Sequence, residues 1–332
     1  MSDYTHPLAD AEFVLNELVD FDKLCADMGQ EDINGELASV ILAEAGKLGS
    51  GVLAPLNKVG DLQHPSMIDK DGGPGVQETA GFAQAYQEYV EGGWASLTGA
   101  EEFGGQNLPN VLGSAVNEVW HTSNMAFALC PLLSQGAIES ISHHGSEHLQ
   151  QSYLPKMLSG EWPGTMNLTE PHAGTDLSLL STKAEPQDDG SYKITGNKIF
   201  ITAGDQDWSE NVIHLVLARL PDAPKGVKGI SLFLVPKINV NDDGTLGSPN
   251  AVSVGSIEKK MGLKASPTCV MNYDDAVGYL VGEENAGLAC MFTMMNDARF
   301  QVGLQGLGVA EAAYQGALEY AVERLQSRAP QG

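Results

Sequence analysis

Basic residues are scarce in this 332-residue chain: 18 lysines and arginines stand against 43 acidic residues, a formal charge of −25. Such a balance repels nucleic-acid phosphates and anionic membrane surfaces. Lys259-Lys260 and the stretch 324 to 328 are too short to form a basic patch, so no nucleic-acid partner is expected. Cysteine is equally sparse. Cys25, Cys130, Cys269 and Cys290 are far apart, form no Cys-x-x-Cys pair and accompany no signal peptide, which points to reduced thiols in a cytoplasmic protein. No apolar run reaches the length of a bilayer span. Positions 125 to 133 come nearest, but Cys130-Pro131 interrupts them and a buried helix bend fits better, so no membrane insertion is expected. Repeats and low-complexity tracts are missing. His144 and His148 lie four apart without a third ligand, and Gly145 breaks their helix, so they read as a solvated helix end and no metal site is expected. Gly306-Leu-Gly308 opens like a dinucleotide fingerprint, but Glu311 replaces the third glycine and no strand precedes it, leaving close helix packing as the reading.

What is present is a change of texture along the chain. Apolar residues recur at helical spacing over positions 8 to 24 (Phe13, Val14, Leu18, Phe21, Leu24) and 33 to 54 (Leu37, Ile41, Ala45, Leu48). Helix resumes from Thr79 through Phe82, Tyr86 and Tyr89 until Gly92-Gly93. Between these lie Pro65 and the cluster Gly72-Gly-Pro-Gly75, which read as a surface loop or turn. A long apolar helix is expected from about 111 to 142, with Ser146 capping the next. The N-terminal portion is therefore expected to be all helix. After Gly160 the runs 192–202, 212–220, 229–235, 251–255 and 268–273 become short, alternating or β-branched, and read as strands. Helix returns near Gly287, with Leu307, Tyr314, Leu318, Ala321 and Leu325 forming a stripe that no later element covers, so the chain reads as part of a longer protein. The resulting fold class is α+β, divided as 1–36 (helical extension), 37–160 (helical domain), 161–282 (β domain) and 283–332 (the first long helix of a further helical bundle).

The most informative stretch is Met166-Asn-Leu-Thr-Glu-Pro-His-Ala-Gly-Thr-Asp176, followed by Gly196-Asn-Lys-Ile-Phe-Ile-Thr-Ala-Gly204. The second segment reads as a hairpin arm, with strands at 191–195 and 198–202 and a turn at Gly196-Asn197. Strand side chains repeat every two residues, so Lys198, Phe200 and Thr202 are expected on one face, with Ile199 and Ile201 in the core. An aromatic ring and a hydroxyl are then presented side by side, where a flat redox cofactor could lie. Glu170-Pro171 reads as a turn and Thr175-Asp176 as a helix N-cap.

With Glu102-Phe-Gly-Gly105, Tyr153-Leu-Pro-Lys156, Ser159-Gly-Glu161 and Gly282-Glu-Glu-Asn-Ala-Gly-Leu288, these motifs resemble the acyl-CoA dehydrogenase family of flavoenzymes over most of the chain. The 165–169, 292–299 and 306–313 segments look most like its subgroup of longer chains, whose substrates include 3-methylmercaptopropionyl-CoA. The resemblance implies an FAD cofactor, an acyl-CoA substrate, an electron-transfer flavoprotein as partner and a homodimer or homotetramer. It implies that Met166, Leu168 and Thr169 line the isoalloxazine, that Phe200 stacks on it where many relatives carry Trp, and that Thr202 bonds near its reactive edge. Thr175 matches a residue near the flavin and the acyl-CoA arm, and Arg299 an arginine of the CoA channel. Arg324 falls where an Arg-x-Thr-Phe-type segment reaches the flavin diphosphate of a neighbouring subunit, although Gln326 and Ser327 depart from that pattern.

The family's catalytic base is a glutamate in a Glu-Gly-Thr-like motif farther along than residue 332, and some relatives place it directly before the arginine matched by Arg299, where this chain has Ala298. No matched position therefore supplies a catalytic residue, and Glu170, Glu283 and Glu284 have no claim to the role beyond being acidic. Three other functions are weighed: an acyl-CoA oxidase, a non-dehydrogenating binding protein of the alkylation-response type, whose basic DNA-facing surface conflicts with the charge of −25, and a non-catalytic scaffold that keeps the fold and binds no flavin.

Overall fold

A computed structural model of the chain describes residues 4–70 and 73–328, so Gly72 of the glycine-proline cluster lies outside the described residues. The N-terminal helices are α1 (Leu8–Phe13), α2 (Phe21–Asp27), α3 (Gly35–Leu48) and α4 (Ala54–Leu62). The helix expected over 8 to 24 is broken at Asp20, whose φ of 55° is left-handed, after a wider π-helical segment Val14–Val19. Asn34 caps α3 by accepting from the Leu37 amide at 3.0 Å. Through Gly49–Leu53 the backbone stays helical, so α3 and α4 form one 28-residue rod.

The loop expected around Pro65 is instead an antiparallel hairpin, β1 (Ser66–Lys70) with β2 (Gly73–Gln77), so the N-terminal portion is not all helix. Glycine and proline masked its strands, since both are poor in side chains that mark a sheet. Helices α5 (Phe82–Glu91), α6 (Asn110–Ser123), α7 (Met125–His144) and α8 (Glu147–Leu158) follow. The single helix expected from 111 to 142 is thus two. Asn124 leaves helical backbone (φ −156°, ψ 92°), accepts from the Phe127 amide at 3.1 Å and donates to the Leu53 carbonyl at 3.0 Å. Ser146 caps α8 as expected. The expectation that no apolar stretch reaches spanning length also needs correcting: Gly35–Leu62 and Met125–His144 are both long and apolar enough, and 67% of the apolar window of the second is buried inside the fold. Polar residues interleaved in each hide the length of the apolar stretch.

The strands are β3 (Gly164–Asn167), β4 (Lys183–Pro186), β5 (Tyr192–Thr202), β6 (Ile213–Ala218), β7 (Ser231–Pro236), β8 (Ile238–Val240), β9 (Leu246–Pro249), β10 (Val252–Ile257) and β11 (Thr268–Val281). The main sheet runs β3-β6-β7-β11-β5-β4, with β10 also on β11. Both faces of its centre are covered, which explains why β6 and β7 are apolar at nearly every position. Ile213, Leu215, Leu217, Leu232 and Leu234 pack with Ala137, Ile141, Met291 and Met294 of the helices. Val216, Ala218, Phe233 and Val235 pack with Ile194, Ile201, Cys269 and Tyr273 on the other side.

The hairpin arm does not turn at Gly196-Asn197. β5 runs straight through 11 residues, with Gly196 opposite Tyr273 of β11. Glycine is needed there for close approach, because a Cβ would lie 2.5 Å from Thr182 Oγ1. Nor do Lys198 and Phe200 share a face. Ile201 pairs with Cys269 and Lys198 with Met271, so Ile199 and Phe200 together stand opposite Val270 in a β-bulge, where Phe200 takes a φ of 62°. Lys198 is fully buried while Phe200 is 58% exposed.

Helix α9 (Gly287–Glu323) closes the order. Its first turns bury Cys290, Met291 and Met294 against the sheet, and Gly308 packs tightly on α6, where a Cβ would come within 2.9 Å of the Thr122 amide. Gly306 has open space, so close packing holds at Gly308 only. Leu307, Tyr314, Leu318 and Leu325 are exposed, leaving the apolar stripe uncovered. All four cysteines are free and buried.

Candidate cofactor wall

The site is built where β3 gives way to the 168–170 segment beside β5. Lys198 Nζ donates to the Leu168 carbonyl at 3.0 Å and to Glu170 Oε1 at 2.9 Å, while the Ile199 amide donates to the Thr169 carbonyl at 2.8 Å. Glu170 and Ala173 exchange main-chain hydrogen bonds, closing the expected turn. Glu170 also accepts from the amides and hydroxyls of Ser181 and Thr182 at 2.6–3.0 Å. Burial by itself raises its pKa, but Lys198 and these hydroxyls outweigh burial and hold the carboxyl down at about 2. Burial pulls Lys198 down to about 8 against the attraction of Glu170, so the pair is ionised at neutral pH. Glu170 is therefore a structural anion and cannot act as a proton-abstracting base.

Around this anchor two hydrogen-bonded neighbouring segments carry five of the candidate residues. Met166, Leu168, Thr169 and Thr202 are half-buried and Phe200 projects from the bulge. Met166 and Leu168 belong to the apolar cluster that also takes in Phe103 and, from α9, Met295 and Ala298. Thr175 is exposed on the loop beyond, where Asp176 accepts from the Ser178 amide at 2.8 Å and caps a single 3₁₀ turn, Leu177–Leu179. Arg299 is exposed on α9, one residue past Ala298, donating to Asn296 Oδ1 at 2.8 Å and lying 5.5 Å from the centre of the Phe292 ring. Arg324 is not brought to the others. It follows the last turn of α9, bonded to the Tyr320 hydroxyl at 2.7 Å, and a helical rise of 1.5 Å per residue sets it ~37 Å beyond Arg299.

Sequence reasoning missed Asp297. Burial, then the nearby Glu139 charge, raises its carboxyl to about 6. It lines a cleft of about 260 Å³ between α6, α7 and α9 with Asn117, Gln135 and Gln301, separate from the wall. The one signal was helical spacing, since Asp297 lies three residues after the core residue Met294. His144, expected at a solvated helix end, instead reaches α9 through Thr293 Oγ1 at 2.7 Å, whereas His148 is exposed. A larger cleft, about 840 Å³, runs between α4, α6 and the later turns of α9, and none of the wall residues lines it.

Two family descriptions match: Acyl-CoA dehydrogenase, N-terminal domain, over residues 72–161, and Acyl-CoA dehydrogenase, middle domain, over residues 165–276. The chain is 46% identical over 329 residues to 3-methylmercaptopropionyl-CoA dehydrogenase of Ruegeria pomeroyi, covering 99% of this chain and 55% of that protein. It therefore spans about half the length of that relative. It is 33% identical to the short-chain-specific acyl-CoA dehydrogenase of Megasphaera elsdenii over 85% of this chain and 68% of the relative. The solved butyryl-CoA dehydrogenase of Megasphaera elsdenii superposes with a TM-score of 0.71 at 26% identity, over 88% of this chain and 70% of that one. The chain belongs to the acyl-CoA dehydrogenase family.

Proposed function

We propose that this chain supplies the flavin-holding wall of an FAD-dependent enzyme that removes hydrogens from Cα and Cβ of an acyl-CoA thioester and passes the electrons to an electron-transfer flavoprotein. The observation that carries the reading is Phe200. An aromatic ring left 58% exposed on a bulge at φ 62° is unfavourable in itself, and it follows Ile199, whose amide ties β5 to the Thr169 carbonyl of the segment that carries half-buried Met166 and Leu168. A flat apolar ring with polar edges fits that arrangement: Phe200 would stack on it, Met166 and Leu168 would floor it, and the Thr169 and Thr202 hydroxyls would bond its edges. Bound FAD would supply the hydride acceptor.

Thr175 and Arg299 would hold the acyl-CoA arm, and Arg324 would reach the flavin diphosphate of a neighbouring subunit in a homodimer or homotetramer. The 46% identity to a 3-methylmercaptopropionyl-CoA dehydrogenase supports a short thioether acyl chain as substrate. Neither position considered for the base supplies one: residue 298 is Ala and cannot titrate, and Glu170 is committed to Lys198. A missing general base lowers the rate by roughly 10²–10⁴-fold.

Titrating the purified chain with FAD tests the reading. The expected result is a bound yellow flavin whose affinity falls up to about tenfold in Phe200→Ala, the loss of one aromatic contact. Ferricenium reduction with 3-methylmercaptopropionyl-CoA is expected at least about 10² below that of the Ruegeria relative. A chain that binds no flavin sinks the reading. Faster reoxidation of the reduced flavin by oxygen than by electron-transfer flavoprotein would indicate an oxidase.

A further inference from the structure

Behind the wall lies a second set of side chains that the flavin reading does not use. Thr165 and Asn167 flank Met166 along β3, so they point to the opposite face of the strand from it. There the Tyr273 hydroxyl donates to Asn167 Oδ1 at 2.8 Å, Asn167 Nδ2 donates to Thr165 Oγ1 at 2.8 Å, and Thr165 Oγ1 lies 2.7 Å from His214 Nδ1. All four residues are 0% exposed. Burial keeps His214 neutral, its pKa lowered to about 3, so the bond between Thr165 Oγ1 and Nδ1 forms with either ring tautomer, and Nε2 has no partner among the described residues.

The surrounding core is apolar: Val216, Phe233, Val235, Ile201 and Met271 fill it. Well-packed apolar side chains would serve stability as well there, because a buried hydrogen bond contributes little net and is costly when half-made. What the bonds add is geometry. β3 has only four residues and pairs with one strand, β6, at the end of the sheet. So short a ladder fixes tilt and register weakly. The four side chains tie β3 to β6 through His214 and to β11 through Tyr273, two strands that are not neighbours in the sheet.

We propose that Tyr273, Asn167, Thr165 and His214 form a positioning network that sets where the Met166–Thr169 segment lies against the flavin ring. The inference rests on the flavin reading above and deepens it: these residues touch no cofactor and act through the wall.

The test is to titrate the purified chain and its variants with FAD, recording the dissociation constant, the visible spectrum of the bound flavin and the urea midpoint of the flavin-free protein. Tyr273→Phe and Thr165→Val are expected to weaken FAD binding at least about fivefold, as one buried partner is left unsatisfied, and to alter the bound spectrum. Thr165→Ser, which keeps the hydroxyl, should restore both. Should Thr165→Val fail to fold, Tyr273→Phe decides, since it removes one oxygen and leaves the ring packing. Variants that lose stability yet bind FAD with unchanged affinity and spectrum overturn the positioning role and leave the flavin reading standing. An unsubstituted chain that binds no FAD overturns both.

Discussion

Lys198 is an ammonium with no solvent around it, and its surroundings decide what each neighbour can do. Glu170 neutralises it at 2.9 Å while two hydroxyls and two amides satisfy the remaining carboxylate lone pairs. Removing one partner strands the other, so Glu170→Gln should destabilise the fold by about 3–5 kcal/mol, read from urea unfolding at pH 7. The double variant with Lys198→Met should recover part of that loss. The sign with pH follows from the depressed carboxyl: its contribution is complete above the unfolded value of about 4.3 and is lost as pH falls to about 2. The stability gap between the native chain and Glu170→Gln should therefore narrow across that window, and a gap that stays constant rules out this role. The sequence showed Glu170 as part of a turn and Phe200 as part of the wall. It did not show the ion pair, because strict alternation puts Lys198 beside Phe200 and only the bulge at Ile199 and Phe200 separates them.

The same limit acts on whole elements. Strands β6 and β7 were legible since apolar side chains fill consecutive positions, and β10 and the first half of β11 from short β-branched or alternating runs, whereas β3, β4, β8 and β9 run three or four residues and are too short to show a period. Helices α6 and α7 were read as one because the sequence is apolar on both sides of Asn124, and the break depends on partners remote in sequence. Asn124 stops one helix, caps the next and holds the carbonyl of Leu53, 71 positions away. Asn124→Ala should lower stability by about 2 kcal/mol, combining a lost cap of ~1 with an unsatisfied buried carbonyl of ~1 or more. Asn124→Asp keeps the cap acceptor but cannot donate to Leu53, so it should also be destabilising. If both variants unfold at the urea midpoint of the native chain, the junction is held by packing alone.

For the molecule as a whole, the order of helices, sheet and long helix was legible in the change of texture, and the motifs at 166–176 and 198–204 point to the wall proposed above. The surface field is a separate property, set by composition. Five lysine–carboxylate pairs form among the described residues, against 43 acidic side chains in the chain, so most of the negative charge has no cation beside it. Like charges on a closed surface repel, and unfolding relieves the repulsion. Salt should substitute for that relief, because the screening length falls from ~10 Å at 0.1 M to ~3 Å at 1 M. At pH 7.5 the urea midpoint should rise between 0.05 and 1 M NaCl by an amount on the order of 1 kcal/mol, a handful of like-charge contacts at ~0.3 kcal/mol each. Near the isoelectric pH of about 4.5 the net charge vanishes, and the salt effect should vanish with it. Equal salt effects at the two pH values would mean that sodium chloride acts through general burial of apolar surface and that the acidic excess costs the fold nothing.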